Sequence, residues 1–168
     1  MTVQVFSDLE WRFVVQLIVA AILGGLIGLE REMGKRPAGL RTHMLVCTGA
    51  ALFTILSIYA FPGQVRDSAR VAAQIVSGIG FLGAATVWRS HDAVKGLTTA
   101  AGLWVAAAIG MAVGAGYGLL AALATLIVLF ILTVMLRFEE AYRHWKDIDT
   151  LEDHRQELPG ERPDEREP

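Results

Sequence analysis

Five long apolar runs, none containing an Asp, Glu, Lys or Arg, most constrain what this chain can fold into. Each run is 17 to 20 residues long, which at about 1.5 Å per helical residue matches a hydrocarbon core about 30 Å thick. The alternative, a soluble helix bundle, requires a polar stripe along each helix, and these runs have none. The runs predict an all-α polytopic membrane protein with five transmembrane helices, at about residues 13–29, 44–61, 71–88, 97–113 and 117–136.

Charge divides the chain into a transmembrane domain, residues 1–136, and a tail, residues 137–168. The first part contains 9 Lys or Arg and 6 Asp or Glu, whereas the tail contains 6 and 11. The tail is therefore predicted to be a charged cytoplasmic segment, helical at its start and then disordered. Before the first apolar run, residues 1–12 are predicted to form a short interfacial helix with Phe6 and Trp11 as anchors.

The basic residues of the short loops predict the orientation in the membrane. The side that contains the first loop, the third loop and the tail has nine Lys or Arg near the membrane, and the opposite side has three. By the positive-inside rule, the N-terminus lies outside and the C-terminus in the cytoplasm.

The segment between the first two runs combines acids, bases and a histidine on the predicted cytoplasmic side. We predict that it forms a functional polar cluster in which the two glutamates pair with Arg41 and His43 across a tight turn. The alternative is that these charges only fix the depth of the first helix. The cluster comprises Glu30, Arg31, Glu32, Arg41, Thr42 and His43.

The composition offers little for catalysis or for a resident metal. The apolar runs contain no Ser/His/Asp set, no His/Glu metal motif and no phosphate-binding loop, so we expect no enzyme, no cofactor and no nucleic-acid partner. Mg²⁺ prefers carboxylate oxygens and water, which leaves Glu30 and Glu32 as candidate ligands, but four neighbouring bases compete for them. Ion pathways usually place ionisable groups at membrane depth, and here only the neutral Gln74 stands out.

A short internal match indicates a repeat of helical hairpins. Gly39-Leu-Arg-Thr42 enters the second run, and Gly96-Leu-Thr-Thr99 enters the fourth run 57 residues later. Chance is the alternative for so short a match. Polar residues at the start of the third run and of the fourth run form a second candidate set of functional residues. They are Asp67, Arg70, Gln74, Ser77, Thr98 and Thr99.

Small residues recur every four positions along the first, third and fourth runs. Such stripes let helices approach closely in lipid, where packing replaces the missing hydrophobic drive. We expect the chain to form a homodimer or a larger homo-oligomer in the lipid bilayer. The predicted helix-packing residues are Gly24, Gly28, Gly80, Gly83, Gly110 and Gly114.

Several of these motifs together resemble the MgtC/SapB family of bacterial inner-membrane proteins. The resemblance rests on Gly28-Leu-Glu-Arg-Glu32, Ala38-Gly-Leu-Arg-Thr-His43, the Arg70–Ala84 segment and Gly96-Leu-Thr-Thr-Ala-Ala101. It implies a five-helix domain of the inner membrane, linked to magnesium homeostasis, stress adaptation and virulence. For the namesake it also implies a membrane partner, the ATP synthase.

Two departures limit what the resemblance carries over. Gly83-Ala84-Ala85 stands where the family often has Gly-Ala-Gly. The virulence-type members of the family carry a folded soluble C-terminal domain, and we expect none in the tail here because it is too short and too charged. The resulting hypothesis is a non-enzymatic membrane protein that modulates a membrane partner or ion and energy homeostasis. The alternative is a small transporter or channel for Mg²⁺.

Overall fold

The computed structural model describes residues 2–60, 68–90 and 93–134, with side chains from Glu10 onward in the first range and from Arg70 onward in the second. Within these ranges the protein is all-helical apart from one small β-hairpin, which confirms the predicted helical class. The hairpin strands are β1 (Trp88–Ser90) and β2 (Ala93–Lys95). The helices are α1 (Thr2–Met33), α2 (Leu40–Tyr59), α3 (Ser68–Ala84), α4 (Leu97–Gly114) and α5 (Gly118–Val134).

The chain forms two compact units, Met1–Phe130 and Ile131–Pro168. The first contains α1 to α4, the hairpin and most of α5. Only residues 131–134 of the second are described, so the predicted charged tail, residues 137–168, lies outside the described residues.

Three helices of the described chain are long and apolar enough to cross a membrane: Glu10–Met33 of α1, α2 and α4. α3 and α5 are apolar but shorter. Large side chains such as Leu45, Phe81 and Leu119 are at least 74% exposed. Apolar surface of this kind is stable against lipid rather than water, so the chain is a membrane protein.

α1 begins earlier than predicted. The expected separate interfacial helix at residues 1–12 does not form, because α1 continues without a break from Thr2 to Met33. No Gly or Pro occurs before Gly24, so nothing in the local sequence terminates the helix. α1 ends in a Schellman turn, in which the Arg36 N–H donates to the Arg31 carbonyl at 3.0 Å and Lys35 takes the left-handed conformation, with φ 53°.

α3 ends earlier than the predicted span of residues 71–88. It stops at Ala84, and Trp88 instead pairs with Lys95 in the antiparallel hairpin that leads into α4. Gly96 closes this connection with φ +92°, and a Cβ there would overlap the Thr86 carbonyl. Glycine is therefore required both for the backbone angle and for the close approach.

α2 is the central helix of the first unit. It packs against α1 and α4, and α3 packs against α4 and α2. A small buried cluster, including Ala50 of α2, Ile79 of α3 and Leu103 of α4, fills the space between them. α2 and α4 begin at Leu40 and Leu97, the leucines of the internal match, so Thr42 and Thr99 occupy equivalent positions in their first turns.

Candidate functional site

Glycines of α1 bring its backbone against the first turns of α2. A Cβ added at Gly24 would lie 2.6 Å from both the Cys47 Cβ and the His43 carbonyl oxygen. One added at Gly28 would lie 2.7 Å from the Leu40 Cα. Since real Cβ atoms do not approach this closely, only glycine permits the observed spacing.

Glycines of α4 do the same at a neighbouring part of α2. A Cβ on Gly110 would overlap the Cys47 carbonyl, and one on Gly114 would lie 2.5 Å from the Ala51 carbonyl oxygen. α2 thus packs against two glycine faces, one of α1 and one of α4, and both contact Cys47. We call these two contacts, formed by Gly24, Gly28, Gly110 and Gly114, the glycine seams.

The two predicted packing glycines of α3 behave differently. A Cβ on Gly83 would make ordinary contact with the Ala100 Cβ of α4, at 3.5 Å. One on Gly80 would meet nothing within 4 Å. Gly80 therefore has no packing role within the described part of this chain.

The polar cluster lies where α1 ends and α2 begins. Glu32, in the last turn of α1, accepts a hydrogen bond from the Leu40 N–H at 2.8 Å through Oε2. It supplies the N-terminal cap that Gly39 cannot provide, and its negative charge suits the positive end of the α2 dipole. Gly39 makes room for it, because a Cβ there would lie 2.9 Å from Oε2.

Glu30 pairs within its own helix. Its Oε2 lies 3.4 Å from the Arg31 Nη1, which is the only ion pair among the described residues. The predicted pairing of Glu30 and Glu32 with Arg41 and His43 is therefore wrong for the described side chains. The unpaired N–H groups of the α2 N-terminus attract Glu32 more effectively than a flexible, solvated arginine does.

Two members of the cluster are buried. Arg31 is 2% exposed and His43 is fully buried, although both were predicted to belong to a working polar surface. The His43 Nδ1 lies 3.0 Å from the Gly39 carbonyl, which can only accept, so Nδ1 is the donor. Neither His43 Nε2 nor Arg31 Nε has a hydrogen-bond partner among the described residues.

The exposed members form a polar pocket. It has a volume of about 310 Å³ and opens at the α1–α2 turn. Arg41 and Thr42 are exposed in its wall, as is Arg36, which the predicted cluster omitted. The residues that line the pocket are Glu32, Arg36, Gly39, Leu40, Arg41 and Thr42.

The second candidate set does not form one site. Gln74 lines an apolar groove of about 520 Å³ between α2 and α3, and Thr99 is buried in α4. Arg70, Ser77 and Thr98 are exposed, and no hydrogen bond among the described residues joins members of the set. Asp67 lies outside the described residues.

Sequence reasoning missed Gln16. This residue lies in α1, and its Nε2 donates to the Val113 carbonyl near the end of α4 at 3.0 Å, while Oε1 is buried without a partner among the described residues. A polar residue inside an apolar run was the available signal, and its partner is a backbone atom 97 positions away.

Within the described ranges, no three His, Cys, Asp or Glu side chains converge as a metal site would require. The two carboxylates proposed for Mg²⁺ are engaged by other groups, Glu30 by Arg31 and Glu32 by the Leu40 N–H. Cys47 is buried against Gly24 and lies among apolar neighbours.

Comparison with known proteins identifies relatives along most of the chain. "Putative magnesium transporter YhiD" of Escherichia coli K12 is 46% identical over 127 residues, covering 70% of this chain and 59% of the relative. "Protein MgtC" of Salmonella typhimurium LT2 is 48% identical over 121 residues, covering 72% of this chain and 51% of the relative. An uncharacterized Haemophilus influenzae protein is 38% identical over 138 residues, covering 77% and 56%. No solved structure matches.

The chain spans only about half to three fifths of the length of these relatives. The sequence profile described as "MgtC family" matches residues 17–141, which include α2, α3, α4 and α5 and the part of α1 that contains the glycine seam and Glu30 to Glu32. The similarity therefore covers both the glycine seams and the polar cluster, and the chain belongs to the MgtC family.

Proposed function

We propose that this protein is a non-enzymatic, multi-pass protein of the bacterial inner membrane that modulates a membrane partner, or ion and energy homeostasis, when magnesium is limiting. Membership of the MgtC family supports a magnesium-related role. The working surface in this proposal is the exposed wall of the polar pocket, with Arg41 and Thr42 as contact residues.

The observation that carries the proposal is the engagement of both glutamates. Mg²⁺ usually keeps several waters and takes one or two carboxylates, and a carboxylate already bound to another group is a poorer ligand. Here Glu32 holds the first amide of α2, and Glu30 lies beside Arg31. The groups left exposed at the pocket are mainly donors and cations, which suit contact with an acidic partner surface better than passage of a cation.

The topology we propose has five crossings, with the N-terminus outside and the basic pocket in the cytoplasm. α3 is 17 residues long, or about 26 Å at 1.5 Å per residue, which is at the short end of the range for a crossing helix. Three basic residues near the pocket, Lys35, Arg36 and Arg41, support its cytoplasmic placement.

Growth under magnesium limitation tests the modulator role. In a strain whose own copy is deleted, we expect the wild-type chain to restore growth and Arg41→Glu to restore much less at equal membrane abundance. Arg41 is exposed and makes no ion pair among the described residues, so its reversal leaves the fold intact. Arg12→Glu, the same change at an exposed position before the polar segment, is the control. Full growth with Arg41→Glu would show that the pocket is not the working surface.

Magnesium transport is the second candidate function, and the name of the Escherichia coli relative favours it. Purified protein in liposomes that contain a Mg²⁺-sensitive dye distinguishes the two. A transporter gives protein-dependent uptake down a Mg²⁺ gradient, whereas a modulator gives the same trace as empty liposomes.

We also propose a homodimer or larger homo-oligomer, with α3 as the contact helix. The seams already cover the glycine faces of α1 and α4, whereas Ser77 and Gly80 of α3 are exposed. Small exposed residues on a lipid-facing helix permit close approach of a second copy. Cross-linking in native membranes that gives only monomer would contradict this proposal.

A further inference from the structure

One face of α1 is exposed along most of its length and consists of large apolar residues. They recur at helical spacing and are each between 43% and 78% exposed. This face ends with the helix, so the membrane surface lies close to the last of them. The residues are Ile18, Ile22, Leu26, Leu29 and Met33.

The polar pocket begins directly beyond this face. Arg36 is three residues after Met33, and the Schellman turn that ends α1 bends the chain back so that Arg36 and the start of α2 line one pocket. The last residue of the apolar face and the first arginine of the pocket are therefore three positions apart, at the end of α1 that we place near the level of the lipid headgroups.

The exposed charge of the pocket is positive. Arg36 and Arg41 have no ion-pair partner among the described residues. The one carboxylate in the wall, Glu32, has its Oε2 occupied by the Leu40 N–H. Two guanidinium groups and the Thr42 hydroxyl are hydrogen-bond donors suited to the non-bridging oxygens of a phosphate.

We propose that this pocket binds the phosphate of an anionic phospholipid headgroup, with the acyl chains of that lipid against the apolar face of α1. A soluble anion would contact only the pocket. A phospholipid would contact both the apolar face of α1, with its acyl chains, and the pocket, with its phosphate. The proposal requires that α1 and α2 lie in the membrane, and it does not depend on the modulator role.

Lipid binding to the purified full-length chain tests the proposal. Native mass spectrometry in detergent measures retention of phosphatidylglycerol against phosphatidylcholine, which has the same phosphate but no net charge. An arginine near an anionic surface contributes on the order of 1 kcal/mol, so Arg36→Gln and Arg41→Gln should each weaken phosphatidylglycerol binding about fivefold. Arg12→Gln, at an exposed arginine far from the pocket in the sequence, should leave it unchanged.

Two further measurements separate phosphate binding by the two arginines from a loss of folding. Arg36→Lys and Arg41→Lys keep the charge and should retain most of the binding, and protection of Cys47 from a thiol reagent shows that each variant is folded. Equal loss with Arg12→Gln, or full binding by the double Arg36→Gln/Arg41→Gln variant, would overturn the proposal. Inorganic phosphate that binds the chain as tightly as phosphatidylglycerol does would also overturn it, since it would show that the acyl chains contribute nothing and would assign the pocket to a soluble anion.

Discussion

Replacing Gly110 by alanine should open the contact between α2 and α4. The new Cβ would overlap the Cys47 carbonyl oxygen and lie 2.8 Å from its carbon and 3.0 Å from the Cα. All three atoms belong to the backbone of α2, so no side chain can rotate away. The helices must separate by on the order of 1 Å, and a gap of that size removes about a quarter to a half of the dispersion energy of each contact along the seam.

The expected cost follows from this geometry. Overpacking of a close-packed interior costs about 1 to 3 kcal/mol, and we expect about 2 kcal/mol for Gly110→Ala. For a chain of this size, each kcal/mol lowers the melting temperature by about 2 to 4 °C, so the variant should melt about 4 to 8 °C below wild type. The matched control is Gly49→Ala in α2, because the same methyl group there meets nothing within 4 Å. The better helix propensity of alanine should leave it unchanged or stabilise it by up to about 1 kcal/mol.

The chain contains its own reporter for this experiment. Cys47 is the single cysteine, it is fully buried, and it forms one wall of the contact with Gly110. A maleimide dye that fluoresces on reaction with the thiol therefore follows unfolding as detergent-solubilised protein is heated. Gly110→Ala should also label faster than wild type below the transition. If Gly110→Ala and Gly49→Ala melt together, α4 does not lie against α2 as described.

The same assay tests two polar contacts. Glu32→Ala should lower the free energy of unfolding by about 1 kcal/mol, because it removes the acceptor for the Leu40 N–H. Glu32→Gln keeps an acceptor oxygen and should lose less. Equal losses for the two variants would mean that the charge of Glu32 matters and the hydrogen bond does not. Gln16→Leu should change stability by less than about 1 kcal/mol, since it removes both the bond to the Val113 carbonyl and a buried unpartnered oxygen. Gln16→Glu directs a carboxylate at that carbonyl and should lower the free energy of unfolding by at least about 2 kcal/mol. If Gln16→Glu is as stable as wild type, the side chain at this position reaches water.

Much of the helical framework was predictable because lipid imposes simple rules on sequence. Apolar length predicted where the helices lie, and the glycines at 114, 116 and 118 fall at the α4–α5 turn, where Gly116 has φ +91°. The small stripes indicated close packing, but not that α2 would be the shared partner. α2 has no regular stripe of its own, since the surfaces that receive the glycines are mainly its backbone near Cys47 and Ala51.

The interactions that sequence reasoning got wrong involve backbone atoms or partners that are distant in the chain. Opposite charges in one loop suggested an ion pair, yet the competitor for Glu32 was the N–H of Leu40, which has no signature in residue type. Trp88 was predicted to end an apolar helix, whereas in the structure it pairs with Lys95 in the hairpin. The burial of His43 depends on Gly102 of α4, whose Cβ position lies 3.4 Å from Nε2. Periodicity alone carries no information about such contacts.

The packing of α2 against two glycine faces also sets an order of assembly during synthesis. α1 precedes α2, so their seam can close as soon as α2 has entered the membrane. The second seam needs Gly110 and Gly114, about 55 residues beyond the end of α2, and at about 5 to 20 residues per second these arrive roughly 3 to 11 s later. During that interval the surface of α2 around the Cys47 and Ala51 carbonyls faces lipid or another protein. A nascent chain is therefore most open to capture by a membrane chaperone, or by a second nascent copy, after α2 enters the membrane and before α4 does.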